Sequence, residues 1–458
     1  MRRALLFALV VATAATIGCG GSNNATLSQN NSGSVFVTGE DAPLSSVVGF
    51  QLTLNSVTLN GQNNNAQVVS NTTVDFARLI GLRSPLAFNS VAPDTYSSVT
   101  ITVSNPVITY VDMTQQPPAL NTINGTLPAS PYTVTINLPT AMVVGSNGLA
   151  GLRMDLDIHQ SVAVNGNGQV TGAVNPVFYV KATRASDPDA QVTDLMGGLV
   201  SVNAGNNSFV LQGPYGHQLT VDVSNSTQFN TGWNINDMAT PEFVAVQGSF
   251  QADGSLLASG VEVVTTAHSF VSGRVLQVTT DGQGDAQSVT MWVGETGADM
   301  VSDVDTIQTF NISAVSEYDV CFLNGPLTTA VFSDTTMEVG QRIFIGGSYS
   351  GGVFTPQMVS LRLQGVYGTF VPSSVAIADG NAGSFQLTNN GLVGYSAGGP
   401  VTVNTFNLTL FYNISGLGQL QNTSSAIPLV TRGLLLKDPV SGNPELYAGF
   451  VADPPQSN

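Results

Sequence analysis

Short runs in which apolar and polar residues alternate fill this chain from Ser34 onward, and a sequence patterned in this way is confined to β-sheet. SVFVTG, VVGFQLTLNSVTLNG, AQVVSNTTVDF, SSVTITVSNPVITYVD, YTVTINLP, LRMDLDIHQSVAVNG and NPVFYVKAT follow one another between Ser34 and Ala185. Each is rich in Val, Thr, Ile or Phe and is bounded by Gly, Asn or Pro, the residues that interrupt strands. Period two sends alternate side chains to opposite faces, so each run offers one face to a core and one to water. Helical spacing is confined to FARLIGL at residues 76–82. The fold class read from this pattern is all-β. Seven such runs between Ser34 and Ala185 point to a sandwich or barrel, and the chain beyond them to tandem small β-barrel or sandwich modules.

At about 150 residues per domain, 458 residues make two to four domains, each long enough to bury a core. Only 9% of residues are charged, against roughly 25% in an average soluble protein. Lys+Arg is 12 against Asp+Glu at 29, and removal of Arg2 and Arg3 would take the net charge from −17 to −19. A chain with two lysines, Lys181 and Lys437, has no basic face for phosphates, which excludes nucleic acid as a partner. The acidic balance is compatible with divalent cations or a cationic partner.

Residues 1–22, MRRALLFALVVATAATIGCGGS, combine two arginines, an apolar run and a small-residue zone. This is the build of a bacterial secretory signal, and its apolar run is shorter than the roughly 20 residues a membrane span needs. Thr16-Ile17-Gly18-Cys19 resembles a lipobox, with Thr16 where leucine is usual. Residues 1–18 are therefore expected to be cleaved and Cys19 to carry lipid. Gly20, where an aspartate would retain a lipoprotein at the inner membrane, points by the same resemblance to an outer membrane lipoprotein, periplasmic or surface-exposed. GGSNNATLSQNNSGS has nothing to bury and reads as a tether over residues 19–33. With Cys19 lipidated, Cys321 has no disulfide partner and is expected to be a small buried residue.

Three segments carry a family likeness: SVFVTGEDAPLSSVVGFQLTLNSVTL, then VDFARLIGLRSPLAFNSVAPDTYSSVTITVSNPVITYVD, then LRMDLDIHQSV. Their order resembles the bacterial lipoprotein family known as domain of unknown function 4382. Asp41-Ala42-Pro43 ends its first strand, and Val74-Asp75-Phe76 stands where that family has valine-aspartate-leucine. Asp94-Thr95 follow Pro93 where a glycine would be usual. The resemblance covers residues 34–185 and implies a prealbumin-like or immunoglobulin-like β-sandwich on a surface-anchored protein, with no assigned activity.

RASDPDAQVTD is polar and contains Pro188, so residues 186–195 read as a linker. Beyond it three units share an order: an opening Gly-x-Val strand, a hairpin on a Gly/Asn/Asp turn, and a closing pair. Their opening glycines, Gly198, Gly273 and Gly368, lie 75 and 95 residues apart. These give modules at 196–265, 268–364 and 365–453, the first resembling the small β-barrel repeats of unknown function that follow such lipoprotein domains. Asn206-Asn207, Asp253-Gly254 and Ser350-Gly351-Gly352 suit the positive-φ positions of tight hairpins.

Candidate chemistry concentrates in Arg153-Met154-Asp155-Leu156-Asp157-Ile158-His159. In a strand, Arg153, Asp155, Asp157 and His159 share a face opposite Leu152, Met154, Leu156 and Ile158. Carboxylates two residues apart lie roughly 6.5–7 Å apart, near enough to share a divalent ion or to flank a glycosidic bond. The simpler expectation is a solvated strand face whose alternating charges attract and guard an edge. Asp281-Gly282-Gln283-Gly284-Asp285, Asp379-Gly380, Asp187-Pro188-Asp189 and Asp303-Val304-Asp305 could offer calcium oxygen ligands, but turn formation explains them without an ion. His159, His217 and His268 have no zinc spacing, and no nucleophile elbow or phosphate-binding glycine loop occurs. Trp233, in FNTGWNIND, is the candidate stacking platform for sugars. The sequence thus predicts no catalytic residues and no cofactor, with calcium the one ion considered. The expected role is a non-enzymatic structural or surface-interaction protein held to the membrane by lipid; the alternative is carbohydrate- or calcium-dependent binding.

Overall fold

The computed structural model describes residues 32–453 apart from 43, 45, 80–82, 166–168, 214–217, 240–241, 267–268, 322–329 and 390–398. The signal, Cys19, the tether up to residue 31, His217 and His268 lie outside the described residues. The chain is all-β, as the alternation requires. In the N-terminal domain, β1 (Gly33–Ala42), β4 (Ser84–Val91), β8 (Leu149–Asp157) and β11 (Phe178–Thr183) make a sheet in the order β11-β8-β1-β4. Opposite it, β2 (Val47–Gly61), β3 (Asn65–Asp75), β5 (Asp94–Asp112) and β6 (Ala119–Asn124) are ordered β3-β2-β5-β6, with β7 (Tyr132–Val144) also on β5. A small hairpin, β9 (Val162–Val164) and β10 (Val170–Val174), stands beside them. Phe50, Leu52, Leu54, Ile101 and Val103 meet Val35, Val37, Leu152, Met154 and Leu156 in the core between the sheets. The FARLIGL segment supplies one 3-10 turn, Phe76–Leu79, which buries Phe76, Ala77 and Leu79.

The first module comprises β12 (Val192–Asn203), β13 (Ser208–Gln212), β14 (Gln218–Asp222), β15 (Gln228–Phe229), β16 (Phe243–Phe250) and β17 (Leu256–Thr265). The second comprises β18 (Ser269–Thr280), β19 (Ala286–Thr296), β20 (Thr306–Asn311), β21 (Glu317–Val320), β22 (Arg342–Ser350) and β23 (Val353–Leu361). Their strand orders, β14-β13-β12-β16-β17-β15 and β20-β19-β18-β22-β23-β21, are the same order. The third, with β24 (Gln364–Phe370), β25 (Ala376–Asp379), β26 (Ala382–Asn389), β27 (Pro400–Tyr412), β28 (Pro428–Lys437) and β29 (Pro444–Ala452), follows it too once the β25 hairpin is set aside. The third module also carries one short helix, α1 here (Leu417–Gln421). Pairing of β14 with β17, and of β24 with β26, closes the first and third modules into five-stranded barrels.

The repeat is marked by a structural device at equivalent places. The register slips by one residue between Gln247 and Gly248, between Gly346 and Gly347, and between Arg432 and Gly433. Each slip leaves one extra residue on the following strand: Ser259, Gln357 or Gly449. A Cβ on Gly248, Gly347 or Gly433 would collide with the carbonyl oxygen of Leu257, Thr355 or Tyr447, so only glycine lets the bulged partner come so close. Asn207 (φ 53°) and Gly254 (φ 91°) take the left-handed turn positions expected of them.

The third module buries a core of its own, Val366 to Val451, yet apolar residues also cross every seam. Met196, Ala245 and Val264 of the first pack with Leu434 and Leu436 of the third inside the second module's core. Phe36 of the sandwich enters the first module's core and stacks on Phe250, centroids 4.9 Å apart. Val48 and Val111 of the sandwich meet Leu276 and Trp292 of the second. The expected linker is correspondingly short: Pro188–Ala190 forms a 3-10 turn, and Val192 and Asp194, both fully buried, already belong to β12. Polarity suggested a solvated connection, but Asp194 is polar because it faces arginines.

Gly433→Ala should destabilise the protein by about 2 kcal/mol, since the collision is with backbone that cannot move aside. Gly418→Ala, in the helix at a site open to solvent, should be neutral or slightly stabilising. Urea unfolding of the two variants against wild type measures both.

Candidate functional site

Charged residues are scarce in this chain, and most of its buried ones converge at two junctions. The first is organised by Glu40 of β1, which is 2% exposed. Arg153 donates from Nε to Glu40 Oε2 at 2.8 Å, Arg83 lies 3.5 Å from the same oxygen, and Arg432 of the third module pairs with Oε1. Phe450 offers its ring to Arg432 at 4.7 Å and to Arg83 at 5.5 Å. Arg153 also reaches Asp155 at 3.6 Å. Two acids and two arginines of the sandwich and one arginine of the third module are thus locked at one seam.

This placement corrects the ladder reading. Asp155 and Asp157 are buried, at 7% and 0% exposure, and Arg153 is nearly so. The strand β8 lies between β1 and β11, and the face that alternation assigned to water is covered by the third module. Nor does the ladder reach His159. Asp157 caps a single helical turn, Ile158–Ser161, by accepting from the Gln160 backbone N–H at 2.8 Å, and His159 leaves the strand to pack on Tyr367 of the third module, ring centroids 4.9 Å apart. Burial pushes the Asp155 carboxyl up to about 6 against the pull of Arg153. Asp41 and Asp157 are also raised, by burial first.

The second junction joins the first and second modules. Asp194 of β12, fully buried, pairs with Arg362 and with Arg342, whose Nη1 lies 2.6 Å from Oδ2. Arg362 also donates from Nη1 to Glu262 of β17 at 2.8 Å. Cys321 is buried as expected, but among charges: its thiol donates to Asp194 at 3.7 Å and to Glu262 at 3.6 Å. Arg342 and Gln341 tie the seam to neighbouring backbone, Gln341 Nε2 donating to Leu435 O of the third module at 2.9 Å. Ligand atoms of Asp194, Glu262 and Cys321 lie within 4.8 Å of one another. The donor set does not suit calcium, because a thiol is a soft ligand and Arg362 already occupies both carboxylates. A third contact, Arg78 to Asp305 at 2.8 Å and to Gly294 O at 2.5 Å, fastens the sandwich to the second module.

The remaining candidates separate. Trp233 is half-buried against the first module's core, not displayed. The Asp-Gly loops satisfy themselves: Asp281 accepts from the backbone of Gln283 at 2.9 Å and of Asp285 at 3.0 Å, the bonding of a turn. Glu40, Arg83, Asp194, Glu262, Arg342, Arg362 and Arg432 escaped the sequence reading. Their signal was rarity: in so uncharged a chain, an arginine flanked by apolar strand residues, as in TRGLLL or SLRLQG, has to be buried with a partner. No protein-family profile matches the chain, and no curated protein matches it.

Arg362→Ala takes one partner from each of two buried carboxylates, Asp194 and Glu262, and should cost about 3 kcal/mol, read by urea unfolding. For Asp155 the folded pKa lies above the unfolded one, so its contribution is present at low pH and lost as pH rises through about 6. Wild type should therefore gain stability relative to Asp155→Asn as pH falls from 7 to 4, by ~3 kcal/mol at most.

Proposed function

We propose that this protein is a lipid-anchored component of a bacterial cell envelope with a structural or surface-interaction role, and that it is not an enzyme. The observation that carries this reading is where its arginines lie. Beyond Arg3, every arginine except Arg184 lies at a seam between the sandwich and a module or between modules. The arginines therefore hold the parts together and are not displayed for work on a polymer or a soluble substrate. The N-terminal signal and Cys19 supply the anchor, and Gly20 directs it toward the outer membrane.

One uncharged sheet face supports the binding alternative. The outer face of the β2–β7 sheet is paved with threonines that hydrogen-bond across strands: Thr53 with Thr73 at 3.1 Å, Thr100 with Thr135 at 2.9 Å, Thr102 with Thr133 at 3.1 Å and Thr109 with Thr122 at 3.1 Å. A flat, uncharged hydroxyl surface suits contact with polysaccharide better than contact with calcium.

Cells expressing wild type should incorporate labelled palmitate into the protein and retain it in the membrane fraction, and Cys19→Ala should abolish both. An unlabelled, freely released wild type would defeat the anchored reading. On a glycan array, the chain should bind at most weakly and without dependence on calcium; strong, chelator-sensitive binding would replace the scaffold role with adhesion.

A further inference from the structure

Where the sandwich, the first module and the second module meet, they enclose a partly open cavity of about 70 Å³. That is room for roughly five waters or a small molecule of their combined size. Its lining is mixed. Leu79 comes from the 3-10 turn after β3, Met196 from β12, and Trp292 and Arg274 from the facing strands β19 and β18.

Arg274 is the unexplained group. It is 8% exposed and lines the cavity, yet its guanidinium makes no hydrogen bond or ion pair with any described residue. Its neighbours aggravate the isolation, for burial and the adjacent Arg342 guanidinium push its pKa down to about 9. Glu295 shares the lining but stands opposite Ser272 in the register and makes no ion pair with Arg274. The other arginines at this seam are provided for: Arg342 by Asp194, and Arg78 by Asp75 and Asp305. A buried cation without a counter-ion costs several kcal/mol, and the cavity in front of it is the space a counter-ion would occupy.

We propose that the cavity is a binding site for a small monocarboxylate, gripped by the Arg274 guanidinium with its short alkyl part against Trp292, Leu79 and Met196. The guanidinium fork matches a planar carboxylate with two parallel hydrogen bonds. The carboxylates of Asp194 and Glu295 in the same lining oppose a second negative charge, which selects against sulfate and phosphate. The volume limits the guest to a few heavy atoms, the size of acetate or propionate. The site owes nothing to the lipid anchor and stands or falls apart from it.

Isothermal titration of the full chain in detergent tests this, with sodium acetate against acetamide and sodium sulfate at matched ionic strength. Acetate should bind, acetamide and sulfate should not, and Arg274→Gln should weaken acetate by about tenfold or more while keeping the wild-type circular dichroism. The proposal is overturned by absence of acetate binding, by acetamide binding equally (a void that takes any small guest), by sulfate binding equally (an unselective cationic patch), or by unchanged affinity in Arg274→Gln. Should that variant not fold, Arg274→Lys takes its place: it keeps the charge but loses the fork, so weakened acetate supports the site and unchanged affinity sinks it.

Discussion

A guanidinium keeps its proton at neutral pH, so an arginine placed between β-domains obliges the opposing surface to present a carboxylate. That obligation governs how this protein is put together. Arg432 of the third module has Glu40 of the sandwich; Arg362 and Arg342 of the second have Asp194 and Glu262 of the first; Arg78 of the sandwich has Asp305 of the second. Buried ion pairs contribute little net stability, because desolvation offsets most of the attraction. Their value lies in penalty: any other seating of the modules would leave these charges buried and unpaired.

Apolar contacts supply the adhesion that the ion pairs direct. Phe36 on Phe250, Leu434 and Leu436 in the second module's core, and Trp292 against Val48 and Val111 make each seam an extension of a core. Tandem modules of this kind are easily imagined as independent beads, yet here one β-architecture has been repeated and its copies welded. The repeated bulge opposite Gly248, Gly347 and Gly433 bends each sheet at the same point, which lets the first and third curl closed. In the second, β20 and β21 do not pair among the described residues, and that module takes residues of its neighbours into its core instead.

Drawing the arginines inward has a functional corollary. The exterior keeps Thr, Ser, Asn and Gln together with exposed acids such as Asp237, Asp253, Glu317 and Asp379, so it is uncharged in places and negative elsewhere. Only the cavity beside Arg274 breaks the pattern, being the one described place where a buried arginine faces open space.

Much of this was legible beforehand. Alternation alone announced strands in every segment, because a pleated backbone repeats every two residues whatever its surroundings; Asn207 and Gly254 took their turn positions for equally local reasons. The order of the three modules showed through Gly273 and Gly368, although in the first it is Gly197, not Gly198, that meets a partner carbonyl. What alternation could not say is which face meets water. Arg153, Asp155 and Asp157 have the pattern of a solvated ladder, and only the arrival of a module some 250 residues later in the chain puts them inside. Sequence thus determined the strands and their turns, since those follow from interactions within a few residues. The tertiary structure decided which charges are buried, what each one pairs with and where a cavity remains, since those depend on surfaces that become neighbours only after folding.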